Sequence, residues 1–342
     1  MQLRREVPLA PLTTLRLGGP AARLVEPTTA EEVVEAVRAA GEDLLLLGGG
    51  SNLVLADAGW PGTVVLVRSR GVTIADGVLV AEAGEPWDEL VARTVAEGWA
   101  GLECLAGIPG LTGATPVQNV GAYGQEVADT IRWVDAYDRT AGEVRRLDPV
   151  ECRFGYRDSL FKHTDRWVVL RVAYGLVQAD KSSPVRYAEL ARALGVEIGG
   201  VAPLADVRAA VLDLRRGKGM VLDPADRDTW SVGSFFTNPV LGPAELAAFE
   251  ARAGGPYPSW PVAEGAGLTK LSAAWLIERA GFGRGYGGTA VRVSGKHTLA
   301  LTHRGGGSTA ELVALAREIR DGVAARFAVT LRPEPRLVGV AL

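Results

Sequence analysis

The period of the hydrophobic positions changes repeatedly along the first hundred residues. Ala22–Glu26 is a short, largely apolar stretch closed by Pro27 and predicts a strand. Val33, Val34 and Val37 then recur at helical spacing, with Glu31, Glu32, Glu35 and Arg38 between them. Ahead of that helix, Thr28-Thr29-Ala30-Glu31 predicts a capping box, a hydroxyl on the first turn and a glutamate three residues later. Leu44–Leu47 is a continuous apolar run, the pattern of a strand covered on both faces. Thr63–Val67 predicts another strand, and Val72–Ile74 with Val78–Ala81 predicts a hairpin around Asp76-Gly77. Pro86 suits the first position of a helix running to about Glu97.

From 99 to 180 the chain is glycine-rich at first and then strand-like at Trp133–Tyr137 and Trp167–Val172. Helical spacing returns at Ala205–Arg216 and Ser272–Ala280. A last helix opens on Ser308-Thr309-Ala310-Glu311, with Leu312, Leu315, Ile319 and Val323 on one face. No internal repeat is evident. The interrupted, mixed pattern predicts α+β domains rather than one doubly wound sheet.

Composition narrows the classes. Lys+Arg 37 against Asp+Glu 40 leaves a net charge of −3 with no long run of either sign, which argues against a nucleic-acid partner. Two cysteines, Cys104 and Cys152, are too few for a disulfide framework and fit a reducing, cytoplasmic setting. No apolar stretch has the length of a membrane span or the form of a signal peptide. His297 and His303, six apart in an expected strand, are a weak pair for a metal, and none is expected.

Two glycine segments carry the candidate chemistry. Gly48-Gly49-Gly50-Ser51-Asn52 follows a buried strand, where consecutive glycines let backbone N–H groups approach an anion such as a pyrophosphate. The same five residues would serve equally as a plain strand-to-loop turn. The second segment, 107–124, holds Gly107, Gly110, Gly113, Gly121 and Gly124 with Pro109 and Pro116, too broken for a regular core element. Together the two suggest a dinucleotide held between separate glycine turns. Gly283-Arg284-Gly285-Tyr286-Gly287-Gly288 matches the Rossmann fingerprint in letters but follows a helix, not a strand, and is set aside.

Taken in order, these segments resemble the UDP-N-acetylenolpyruvoylglucosamine reductase family. Thr13-Thr14-Leu15-Arg16-Leu17-Gly18-Gly19, Leu47 to Leu53, Gly107 to Glu126, Tyr156-Arg157-Asp158-Ser159, Gly233-Ser234-Phe235-Phe236-Thr237-Asn238-Pro239 and Pro333-Glu334 follow the family's sequence of motifs. Arg186-Tyr187-Ala188-Glu189-Leu190 resembles the tyrosine-bearing substrate loop of the longer of two family types. Departures from the family pattern fall at Gly219–Pro224, Thr237 and Tyr286-Gly287-Gly288.

The resemblance implies a vanillyl-alcohol-oxidase-like FAD-binding fold, two α+β subdomains plus a C-terminal α+β substrate domain. The expected boundaries are 1–69 and 70–204 for the FAD subdomains, 205–330 for the substrate domain and 331–342 for a segment returning to the active site. It implies non-covalent FAD held by Leu47, Gly48, Gly49, Gly50, Ser51, Asn52, Gly107, Ile108, Pro109, Gly110, Gly113, Ala114, Gln118, Asn119, Gly121, Ala122 and Tyr123. NADPH would be the hydride donor and the enolpyruvyl ether of UDP-N-acetylglucosamine the acceptor, in a cytoplasmic monomer with no membrane partner. Catalysis would fall to Arg157 as a fixed cation, Ser234 as proton donor to C2 and Glu334 as a protonated hydrogen-bond donor. Tyr187, Arg215, Lys218, Gly233 and Asn238 would bind substrate. A small-alcohol oxidase of the same fold, or a catalytically silent nucleotide-binding relative, are the alternatives.

Overall fold

The structure is a computed structural model and describes residues 1–262 and 267–342. Those residues fall into two compact units, the first made of Met1–Val7, Ala21–Gly49 and Pro61–Val221, the second of Pro8–Pro20, Gly50–Trp60 and Leu222–Leu342.

The first unit holds two larger sheets and two two-stranded ones. In one, the strand order is Arg4–Pro8, Pro20–Val25, Trp60–Leu66 and Leu44–Leu47. The last two run parallel, with Leu44 opposite Thr63 and Leu47 opposite Leu66. Helix Ala30–Ala40 buries Ala30, Val33, Ala36 and Val37, as the spacing predicts. Its cap is displaced by one residue from the expected box. Thr29, not Thr28, is the N-cap and accepts from Glu32 N–H, while Glu32, not Glu31, reaches back to Thr28 N–H at 2.7 Å. Either threonine offers the hydroxyl, and the helix starts where Ala30 and Val33 turn to the core.

The second sheet of this unit is antiparallel, ordered Glu143–Leu147, Ile131–Asp138, Trp167–Gly175, Val78–Glu82 and Val72–Ala75. Asp76 and Gly77 both take positive φ (51° and 75°), the two-residue turn whose twist matches the hairpin. The middle strand, Trp167–Gly175, is buried on both faces. The Tyr174 hydroxyl sits 2.7 Å from Thr115 Oγ1, so the one polar atom on this buried ring is satisfied. Pro86 proves to be the N-cap of helix Trp87–Ala96 rather than its first residue. The Trp87 indole donates to Leu105 O at 3.1 Å and anchors the glycine-rich segment at its start. Helices Ala188–Leu194 and Leu204–Gly217 share this core through Leu190, Val207 and Val211.

The core of the second unit gathers Leu15, Leu17, Phe235, Phe236, Phe249, Leu276, Ile319 and Phe327. Helix Thr309–Phe327 buries Leu312, Leu315, Ile319 and Val323, and Ser308 and Glu311 form its reciprocal cap. Strand Arg336–Val338 lies parallel to Leu53–Leu55, bringing the last residues beside the segment that follows the first glycine turn. His297 is not in a strand with His303. Ser294 Oγ accepts from both Lys296 N–H and His297 N–H, which turns the chain between strands Val291–Val293 and Leu301–His303. The 283–288 segment is likewise a turn, with Gly285 N–H on Val293 O and Gly288 N–H on Val291 O.

Candidate active site

The first glycine turn begins where strand Leu44–Leu47 ends. Leu47 itself is core, 1% exposed, with its carbonyl taken by Val67 N–H. Beyond it the backbone is uncovered on one side and pressed on the other. A Cβ on Gly49 would stand 2.7 Å from Gly110 Cα, so the two glycine segments meet backbone to backbone. Within the second unit a Cβ on Gly50, at φ 59°, would stand 2.3 Å from Leu12 O, and Thr14 N–H closes the same turn on Gly50 O at 3.1 Å. Among the described residues, the N–H groups of Gly48, Gly49, Gly50 and Ser51 donate to no protein acceptor. Four successive bare donors on a chain that admits no side chains are a cradle for an anion. The residues present therefore fit the pyrophosphate of a dinucleotide.

The second segment is anchored rather than loose. Gly107 N–H donates to Asp88 Oδ1 at 2.6 Å, and Arg208 Nη2 holds the same carboxylate at 3.2 Å. Gly113 and Ala114 spend their N–H groups internally, on Ala83 O and Leu111 O. A short 3-10 turn at Thr112–Ala114 and a paired stretch, Gly121–Ala122 with Gln125–Glu126, give order to what the glycine count predicts as irregular. Ile108, Pro109, Gly110 and Gln118 lie half-buried on it. Asn119, at φ 45°, is a hub. Its amide nitrogen reaches Glu126 at 2.7 Å and Gly155 O at 3.2 Å, and its Oδ1 accepts from Ala128 N–H.

Arg157 is docked on this hub. Its guanidinium donates to Gly121 O at 2.7 Å and Asn119 O at 3.4 Å, and Tyr156 lies beside it with a ring centroid at 5.6 Å. Its own carbonyl is held by Lys162 Nζ at 2.6 Å, and Ser159 Oγ ties the turn to Val117 O. The charge is thus fixed in place by backbone carbonyls.

Three of the expected substrate residues, Tyr187, Lys218 and Arg215, cluster around Tyr123. Its ring stands edge-on to Tyr187 at 5.5 Å, and Lys218 Nζ lies 5.7 Å from its centroid. Burial pushes the Tyr123 hydroxyl up to about 12, so it is a donor at neutral pH, with the charges of Arg215 and Glu189 acting in opposite directions. Arg215 holds Met220 O with Nη2 at 2.9 Å, while its buried Nε has no acceptor among the described residues. Burial lowers Arg215 to about 10, still cationic at neutral pH.

In the second unit Ser234 and Glu334 come together. Phe235 O accepts from Glu334 N–H at 2.9 Å, Phe236 pairs with Pro333, and Thr237 N–H reaches Arg332 O at 3.1 Å. On its other side the Ser234 stretch is held by Phe235 N–H on Leu299 O at 2.7 Å. Arg336 N–H donates to Asn52 O at 3.0 Å, so the end of the first glycine turn is tied to the strand that begins two residues after Glu334. Gly233, at φ 75°, donates to Ser231 Oγ, and Thr14 Oγ1 holds Ser231 O at 2.6 Å. Asn238 turns its Oδ1 to Ala273 N–H at 2.9 Å and helps cap helix Ala273–Arg279.

Sequence reading passed over Asp88, Glu126, Glu189 and Ser231, which hold the named residues in position. Each is a single common polar residue in an ordinary setting, and only its contact distinguishes it. Among the described residues no cluster of His, Cys, Asp and Glu could hold a metal ion, and no helix is long and apolar enough to cross a membrane.

Two glycine turns meeting over an α+β core, with an anchored arginine, define a flavin-binding oxidoreductase of the vanillyl-alcohol-oxidase-like class. Residues 21–148 match the FAD binding domain model, and 223–338 match the C-terminal domain of UDP-N-acetylenolpyruvoylglucosamine reductase. The reductase of Salinispora arenicola is 61% identical, over 98% of this chain and 96% of its own. That of Saccharopolyspora erythraea is 57% identical, over 98% and 95%. The crystal structure of the Thermus caldophilus reductase covers 99% of each chain with a TM-score of 0.69 at 24% identity, a likeness of fold. The chain belongs to the UDP-N-acetylenolpyruvoylglucosamine reductase family.

Proposed function

We propose that the protein reduces UDP-N-acetylglucosamine enolpyruvate to UDP-N-acetylmuramate with NADPH, acting as a cytoplasmic monomer. FAD, when bound, supplies the hydride carrier between NADPH and C3 of the enolpyruvyl group. The first glycine turn and the Gly107–Tyr123 segment would hold it, with the bare N–H groups of Gly48 to Ser51 toward its pyrophosphate.

The chain's own residues manage the charge and the proton. Reduction at C3 leaves negative charge on C2 and the adjoining carboxylate. A cation fixed beforehand stabilises that charge without reorganising, and the Arg157 guanidinium, clamped by Gly121 O and Asn119 O, has that property. Ser234 would deliver the proton to C2. An unactivated hydroxyl is a weak acid, so its contribution depends on position, which the hydrogen bonds on both sides of Phe235 restrict. Glu334, protonated, would donate to the substrate carboxylate. Tyr187, Lys218 and Arg215 would take the diphosphate, Lys218 as a point charge. Gly233 and Asn238 would complete the contacts of the substrate domain.

The observation that carries this reading is the backbone bond between Glu334 and Phe235, the residue after Ser234, which supports a site holding both. The test is anaerobic absorbance of the holoenzyme in the flavin band. NADPH should bleach it, and the enolpyruvyl substrate should restore it. A protein that bleaches but is not reoxidised would sink the assigned substrate, and one that takes up no FAD would sink the whole reading.

A further inference from the structure

The Lys218 ammonium is already engaged. Its Nζ lies 2.5 Å from Glu189 Oε2, and both side chains are only about a third exposed (33% and 38%). Glu189 stands in the first turn of helix Ala188–Leu194, two residues after Tyr187, the N-cap of that helix. Lys218 ends helix Leu204–Gly217, one turn beyond Arg215. Three contacts in succession lay the tyrosine segment on its neighbours: Arg186 against Gly124, Tyr187 edge-on to Tyr123, and Glu189 on Lys218.

The charges of this cluster do not balance. Arg215 and Lys218 are two cations around Tyr123; Glu189 is paired with Lys218, while Asp88, which also acts on Arg215, is already shared with Arg208 and Gly107 N–H, and Arg215 Nε has no acceptor among the described residues. A diphosphate diester carries two negative charges and matches two cations. Glu189 accepts from the atom such a ligand would need, and it would repel the ligand if it stayed.

We propose that Glu189 is a positioning residue that occupies Lys218 in the substrate-free protein and yields it to the diphosphate of a nucleoside-diphosphate substrate. The exchange releases the first turn of helix Ala188–Leu194 from Lys218 as substrate arrives, and it tunes affinity without touching the reacting carbons. The inference rests on the diphosphate role of Lys218 proposed above.

The test is calorimetric titration of the FAD-loaded, oxidised protein with UDP, at low and high salt. Glu189→Gln should tighten UDP about three- to five-fold, the range of a partly exposed ion pair, and the gain should shrink at high salt. Lys218→Met should weaken UDP about ten-fold or more. In the Lys218→Met background, Glu189→Gln should gain less than in the parent, because competition for the ammonium is gone and only the direct repulsion of the diphosphate is left to relieve. Oxidised-flavin absorbance should match the parent protein in Glu189→Gln. Unchanged or weaker UDP binding in Glu189→Gln, with Lys218→Met impaired, overturns the exchange and leaves the substrate reading standing. Unaltered UDP binding in Lys218→Met overturns the diphosphate role of Lys218, and the exchange with it.

Discussion

Glu334 donates its backbone N–H to the carbonyl of Phe235 at 2.9 Å, so the turn that carries Glu334 lies against the backbone next to Ser234. The contact is between backbones, and substitutions at either side chain leave it in place. It follows that the two proposed roles are separable by mutation.

Ser234→Ala removes the proton donor and keeps the backbone. Single-turnover traces should show NADPH bleaching the flavin at the parental rate and reoxidation by the enolpyruvyl substrate slowed about 10²- to 10⁴-fold, the usual worth of a positioned acid. Undiminished reoxidation would remove Ser234 from the mechanism.

Arg157 sits at φ 54° with its guanidinium on Gly121 O and Asn119 O. Lysine keeps the charge but lacks the planar fork that spans both carbonyls. Arg157→Lys should lower the rate of the second half-reaction by about ten-fold or more, a loss of the size of one charge-assisted hydrogen bond. FAD content should stay the same. A variant with parental rates would show that charge alone suffices.

The glycine turns make a paired prediction. A Cβ on Gly49 would meet Gly110 Cα at 2.7 Å, where both neighbours are backbone and neither can rotate away. A Cβ on Gly48 would meet only Leu111 Cδ1 at 3.5 Å, an ordinary contact. Gly49→Ala should cost about 1–3 kcal/mol of stability and lose FAD on desalting. Gly48→Ala should keep the parental melting temperature. The flavin-to-protein absorbance ratio and a thermal scan of each variant check this.

His303 supplies a pH dependence. Its Nδ1 donates to Leu15 O at 3.1 Å and its Nε2 accepts from Gly307 N–H at 3.3 Å, so the neutral ring satisfies both atoms and a second proton would break one bond. Burial lowers its pKa below the usual value of about 6.5. A base depressed on folding contributes stability that is present above its unfolded pKa and lost as pH falls toward the folded one. Urea midpoints should therefore drop as the pH falls below about 6.5. The drop should be smaller in His303→Gln, and an equal one would assign the acid sensitivity elsewhere.

Local rules carried much of the fold. The hairpin at Asp76-Gly77, the cap at Ser308 and the apolar face of Leu312, Leu315, Ile319 and Val323 follow from neighbours a few residues apart, and the structure has them as the sequence predicts. The caps of the early helices moved by one residue: at Thr29 because the adjacent threonines are chemically equivalent and burial of Ala30 and Val33 chose between them, and at Pro86 because the helix begins at the buried Trp87.

The sequence by itself determined where the backbone runs bare of side chains, at Gly48-Gly49-Gly50 after a buried strand and again through 107–124. It determined too, through the order of its motifs, which serine, arginine and glutamate to single out. Tertiary structure alone decided that Gly49 meets Gly110, that Glu334 bonds to Phe235 next to Ser234 and that Lys218 is held by Glu189. Each of these pairs joins residues far apart in the chain. Their proximity is set by packing of the intervening elements, which leaves no mark on the local pattern of either partner.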